Sequence, residues 1–176
     1  MSPARWQDIW LNEGFATYAE SLWSDYLGEG TPAEVAQFTY DSIPADDAFW
    51  QLLPADPGPA EQFNDVVYDR GGMTLQALRT AVGDESFFLI LRTWARTHQY
   101  GDGATAQFIA LAEAISGQEL SGLFDTWLYT AGKPATGPND AVTAARTASV
   151  ARVAEPKSYQ KIKETHELLA AGQRAR

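Results

Sequence analysis

Residues 10–20, Trp-Leu-Asn-Glu-Gly-Phe-Ala-Thr-Tyr-Ala-Glu, commit an acid, Glu13, to an otherwise greasy helical stretch. Trp6, Trp10 and Ala16, with Glu13 between the last two, and then Ala19, Leu22, Trp23 and Tyr26 recur at steps of three and four, the period of one buried helical face. On that spacing Glu13 points inward. A buried carboxylate is costly unless it is paired, hydrogen-bonded or bound to a metal, so the rest of the chain has to supply its compensation. Spacing alone favours a core-edge glutamate with a basic partner, for which Arg70 is a candidate.

The chain has 176 residues, 45% hydrophobic and 20% charged, values of a single cored domain with a tail. Its net charge of −10 argues against nucleic acid or an anionic membrane surface as partner. The absence of cysteine excludes disulfides and thiolate metal sites. No apolar run approaches bilayer length, and Met1-Ser2-Pro3-Ala4-Arg5-Trp6 carries no apolar signal core. The opening helix follows Met1 with no polar lead-in, which points to a truncated domain.

Helical segments punctuated by glycine and proline account for the body. The first is expected over about 5–27, ending at Gly28-Glu29-Gly30; Thr31-Pro32 then reads as an N-cap with proline at the first helical position. The second covers about 33–42 with Val35, Phe38 and Tyr40, and continues in broken form past Pro44. Pro54, Pro57, Gly58 and Pro59 mark a loop, a candidate cleft wall. Met73, Leu75, Leu78 and Val82 define a helix that stops at Gly83, and Asp84-Glu85-Ser86 starts another with Phe87, Phe88, Leu91, Trp94 and Ala95. Further helices are expected over 105–116, ended by Gly117, and around Leu120 to Leu128. No segment alternates apolar and polar as a half-buried strand requires, so the fold class is all-α.

From about Ala135 the composition turns to Ala, Thr, Ser, Pro and Gly, giving a linker over 135–156 and a tail over 157–176 whose short helix, carrying Ile162, Leu168 and Leu169, either docks on the acidic body or swings free, with weak attachment the favoured reading. Residues 140–176 hold seven Lys/Arg against four Asp/Glu, whereas residues 1–139 hold six against nineteen. A net +3 tail thus follows a net −13 body.

Four ordered segments carry a family resemblance. Trp6-Gln7-Asp8-Ile9-Trp10-Leu11-Asn12-Glu13-Gly14-Phe15-Ala16-Thr17-Tyr18-Ala19-Glu20 resembles the third-ligand helix of the aminopeptidase-N-like zinc metallopeptidases, gluzincins with a thermolysin-like catalytic domain. Val67 to Met73, Tyr100-Gly101-Asp102 through Phe108, and Ser116 through Leu128 resemble the same family in the same order, so that the match covers about residues 2–134. The resemblance implies that the chain is a helical, bundle-like array, the C-terminal lobe of such a domain. It implies that Glu13 is a zinc ligand, that Tyr68 is the catalytic tyrosine stabilising the oxyanion of the tetrahedral intermediate, and that Thr17, one turn from Glu13, orients a ligand. Arg70 stands where the family's Tyr-x-Lys-Gly motif has lysine, keeping the charge. Zinc as cofactor and peptide N-termini as substrates are what the family implies for the intact enzyme.

The family's His-Glu-x-x-His motif, two zinc ligands and a general base, is absent, as is its Gly-x-Met-Glu-Asn segment. Twelve residues precede Glu13, fewer than the family spacing, so that motif would lie upstream of Met1. The only histidines, His98 and His166, lack the i, i+4 partner of a helical zinc site and read as a helix-end residue and a tail residue. The expectation is a chain that alone binds no zinc tightly and hydrolyses no peptide. The competing reading is a non-enzymatic helical protein-binding module whose exposed cleft face, around Trp10, Phe15 and Tyr68, serves partners or self-association.

Overall fold

The computed structural model describes residues 1–140 and 153–174. Part of the expected linker, 141–152, and the side chain of Leu169 lie outside the described residues. Helices α1 (Trp10–Tyr26), α2 (Pro32–Ser42), α3 (Gly71–Thr97), α4 (Thr105–Ser116), α5 (Ser121–Phe124) and α6 (Tyr159–Arg174) form the body, so the fold is all-α. The one sheet among the described residues is a two-residue parallel pairing of β1 (Ser2–Pro3) with β2 (Asp102–Gly103), which ties the amino terminus to the turn before α4.

Local chemistry sets most boundaries. Thr31 caps α2 by accepting from the Glu34 amide, while Glu34 accepts from the Thr31 amide, a capping box with Pro32 at the first helical position. Gly83 breaks α3 at φ +79°, a conformation that side-chain-bearing residues rarely adopt, and Arg79 clamps the restart by bonding Asp84 at 2.7 and 3.0 Å. The last α3 turn is stacked by His98 on Trp94, 3.7 Å between ring centroids, as a helix-end residue.

The first half of α3 is the central element: residues 71–78 are all buried. Leu75 and Leu78 face a core of Trp10, Phe87, Ile90, Trp94 and Phe108. Met73 and Ala77 face a second cluster with Trp50 and Trp127.

The buried face of α1 differs from the apolar spacing. Trp10, Leu11, Gly14, Thr17, Tyr18, Ser21 and Ser24 are buried, whereas Ala16 and Ala19 are exposed, Trp23 is 60% exposed and Tyr26 79% exposed. Small residues win the interior because the helices approach backbone to backbone. A Cβ at Gly14 would lie 2.8 Å from the Gly71 carbonyl carbon, and one at Gly71 would lie 3.0 Å from the Gly14 Cα. Only glycine at both positions permits that crossing. Glu13 therefore sits half-buried at the border between the packed and the exposed faces.

Candidate active site

Tyr68 lies on a single turn of π-helix, Val66–Arg70, that runs directly into α3. Such turns rotate the side chains by an extra residue relative to an α-helix and recur at functional positions. Here the turn delivers Tyr68, three residues before Gly71, to α1 at Glu13, the residue next to Gly14 of the Gly14–Gly71 crossing. Its hydroxyl donates to the Glu13 carboxylate. The two residues that the sequence singled out, 55 positions apart, thus meet as a hydrogen-bonded pair. Burial pushes the Glu13 carboxyl above its ordinary range, while the Tyr68 bond and the nearby His166 pull it back only in part.

Thr17, one turn beyond Glu13, is 7% exposed, and its Oγ1 has no hydrogen-bond partner among the described residues. Its methyl packs where a Cβ at Gly72 would come within 3.1 Å, which holds the side chain against α3. An orphaned buried hydroxyl beside a half-buried carboxylate is a polar group awaiting a partner.

Arg70 does not compensate Glu13. It is fully buried, and its guanidinium donates to the carbonyls of Trp50 (3.2 Å), Leu52 (3.3 Å), Thr126 (3.0 Å) and Thr130 (2.5 Å), with its charge 5.6 Å over the Trp50 ring. Desolvation lowers its pKa to about 10. Arg70 thus points away from Tyr68 to staple the 48–52 turn and the Asp125–Tyr129 π-helix onto α3. The pairing of Glu13 with Arg70 therefore fails on this geometry.

Three residues near the pair escaped sequence reasoning: Glu20, Asp69 and His166. His166, on α6, donates from Nε2 to Glu20 at 2.7 Å, places Nδ1 3.7 Å from Asp69, and lies 5.5 Å from the Tyr68 ring. Burial disfavours its charged form, but Glu20 and Asp69 outweigh it and raise its pKa. Asp69 is pushed up to about 6, chiefly by burial, with His166 and Lys163 opposing. A lone tail histidine carries no local signal for this placement. Leu168, which the tail pattern marked as apolar contact, is 75% exposed.

No group of three or more His, Asp or Glu side chains able to hold a metal forms among the described residues. Glu13 offers one hard oxygen donor, with the hydroxyls of Tyr68 and Thr17 beside it, a set compatible with part of a zinc site and short of the four donors such a site takes. The expected apolar patch around Trp10 and Tyr68 is not a surface, since Trp10 is 0% and Tyr68 8% exposed. No helix among the described residues is long and apolar enough to cross a membrane.

An all-α lobe that holds a glutamate of an Asn-Glu-Gly-Phe-Ala segment on α1 against a tyrosine on the π-turn leading into α3 is the C-terminal lobe of a gluzincin-type catalytic domain. The chain belongs to peptidase family M1, whose domain model matches residues 1–127. It is 26% identical over 140 residues to aminopeptidase N of Streptomyces lividans, covering 72% of this chain and 16% of that protein. It is 30% identical over 146 residues to a probable M1 family aminopeptidase of Encephalitozoon cuniculi, covering 77% of this chain and 17% of the relative. An M1 zinc metallopeptidase of Deinococcus radiodurans superposes with a TM-score of 0.64 at 30% identity, over 81% of this chain and 31% of that one. A two-domain M1 zinc metallopeptidase variant bound to L-arginine gives a TM-score of 0.65 at 30% identity, over 78% of this chain and 31% of that one. The chain thus spans about one sixth of the length of these curated relatives.

Proposed function

We propose that this chain is the part of a zinc aminopeptidase that supplies one zinc ligand and the oxyanion donor. The hydrogen bond from Tyr68 to Glu13, set by the Gly14–Gly71 crossing, carries the reading. Glu13 would hold zinc together with ligands from the upstream part of the domain, and Thr17 would orient it. Bound there, zinc supplies Lewis-acid polarisation of the scissile carbonyl and of water. Tyr68 then turns its hydroxyl from Glu13 to the oxygen on which negative charge develops, a donor already positioned on a buried side chain. The substrate class is peptides with a free amino terminus, supported by a related M1 structure that holds a Tyr-Ser-Ala substrate.

Alone, the chain is expected to bind zinc weakly and to be inactive, because its two histidines are 68 positions apart in sequence and His166 is committed to Glu20 and Asp69. The test is reconstitution with an upstream M1 segment bearing His-Glu-x-x-His. Zinc affinity by calorimetry and turnover of an aminoacyl-anilide are expected only in the mixture. Tyr68→Phe should lower kcat by roughly 10²–10³ with little change in zinc affinity, the cost typical of one oxyanion donor, and Glu13→Gln should weaken zinc binding. Tight zinc binding by the lone chain, or a reconstituted enzyme indifferent to Tyr68→Phe, would overturn the assignment.

A second reading, a protein-binding helical module, draws support from the exposed α1 strip of Ala16, Ala19, Trp23, Tyr26 and Leu27, with Trp23 and Tyr26 stacked 5.1 Å apart. Trp23, Tyr26 and Leu27 are 60%, 79% and 50% exposed, and large apolar side chains grouped on a surface mark interaction sites.

A further inference from the structure

Past residue 127, where the family match ends, the chain returns to the candidate site. Pro156 closes on Gly30, where a Cβ would meet the proline Cβ at 2.7 Å. Ser158, 3% exposed, lies 2.5 Å from the Ser24 hydroxyl, whose own proton goes to the Gly30 carbonyl at 2.7 Å, so Ser158 donates. Tyr159 packs edge-on against Phe38, 4.7 Å between centroids. Lys161 bonds Glu29 at 2.7 Å, and His166 bonds Glu20 beside the Tyr68 ring.

This is a built seat. Two buried serines 134 positions apart have each given up water and satisfy one another. The polar, small-residue face of α1 that contradicted the apolar spacing is explained in part by this occupant: Ser24 meets Ser158, and Thr17 and Ser21 line the small cavity beneath Ile162 and His166. Charge adds to shape, since Lys161 and His166 of the basic segment land on Glu29 and Glu20 of the acidic body.

We propose that the segment 156–168 is an intramolecular cover, a built-in competitor that must leave the α1 face before another chain can reach Glu13 and Tyr68. That the covered face is an active-site wall rests on the function proposed above; that it is covered does not. The cover is specific for its own sequence: serine at the entry, an aromatic next, then lysine and histidine one and two turns on, on the side facing α1.

The test uses the full chain and a fluorescent peptide of residues 153–174, with no metal and no upstream segment. Lys161→Glu combined with His166→Ala loosens the cover and leaves its seat intact. This variant is expected to bind the peptide at least about tenfold more tightly than the parent chain, from the loss of two charge-assisted hydrogen bonds by the internal competitor. Hydrogen exchange of residues 13–20 and 66–70 should accelerate by a similar factor, while residues 71–78 stay protected and report that the core is intact. Glu20→Gln with Glu29→Lys, which spoils the seat, should accelerate the same exchange and gain no peptide binding. Equal peptide affinity in parent and tail variant, or unchanged exchange at 13–20, overturns the proposal. A concentration-dependent dimer that dissolves in the tail variant also overturns it, because the segment would then sit on a second copy. Failure of the reconstitution experiment leaves all of these readouts untouched.

Discussion

Replacing Arg70 removes the buried donor that links three parts of the fold. Its guanidinium reaches four carbonyls on the 48–52 turn, the Asp125–Tyr129 π-helix and Thr130. In Arg70→Met the Trp50 carbonyl keeps a second donor, the Gly132 amide at 2.7 Å, and the exposed Thr130 carbonyl can turn to water. The unmet cost falls mainly on Leu52 and Thr126, at about 1–3 kcal/mol for each acceptor left unpaired. Loss of the cation over Trp50 adds about 1 kcal/mol, and relief of the buried charge's desolvation offsets part of the total. The net expectation is a loss of about 3 kcal/mol, which in a urea titration followed by tryptophan fluorescence moves the midpoint down by about 1.5 M for a slope near 2 kcal/mol/M. Arg70→Lys keeps a charge but not the planar fork, and one ammonium cannot span carbonyls on separate segments, so it should recover no more than about half of that loss. A midpoint for Arg70→Met within about 0.2 M of the parent would refute the stapling role.

Gly14→Ala should cost about 1–2 kcal/mol, since overpacking against the Gly71 backbone exceeds the helix propensity gained, and it should weaken the Glu13–Tyr68 bond, seen as a shift of the Tyr68 ring signals by NMR. Asp8 carries a pH dependence. Burial raises its pKa, but the Thr105 amide (2.9 Å) and hydroxyl (2.8 Å) and Arg5 outweigh it, and the net pKa lies below the ordinary value. Its stabilisation is therefore full above the unfolded carboxyl range and lost as pH falls through the lower folded value. Asp8→Asn should lower Tm at neutral pH, with the gap to the parent closing on acidification. Glu13 has the opposite sign: its folded pKa is raised, so its ionised form costs stability above the unfolded value and nothing below it. Glu13→Gln should raise Tm at pH 7 and leave it unchanged near pH 3, a trade of stability for function that a calorimetric series across pH can check.

Helix boundaries were legible because their causes are local. The Thr31–Glu34 capping box, the break at Gly83 and the stop at Gly117 each depend on residues within a turn of one another. The same holds for the ordered segments that marked the family, since a motif is a short string. The inward direction of Glu13 was only half legible: its helix was right, but Trp23 and Tyr26 proved exposed, while Thr17, Ser21 and Ser24 are buried.

The sequence by itself determined where helices begin and end, the all-α class, and the pair of residues, Glu13 and Tyr68, on which a metallopeptidase reading rests. The tertiary structure decided which faces those helices bury and what meets across them. A glycine pair at positions 14 and 71 brings α1 and α3 into backbone contact, Arg70 is drawn to carbonyls on two distant turns, and His166 closes over Tyr68. The physical reason is range. Capping, periodicity and backbone conformation act within a few residues, whereas close approach, desolvation and charge pairing depend on neighbours that only the docked fold supplies.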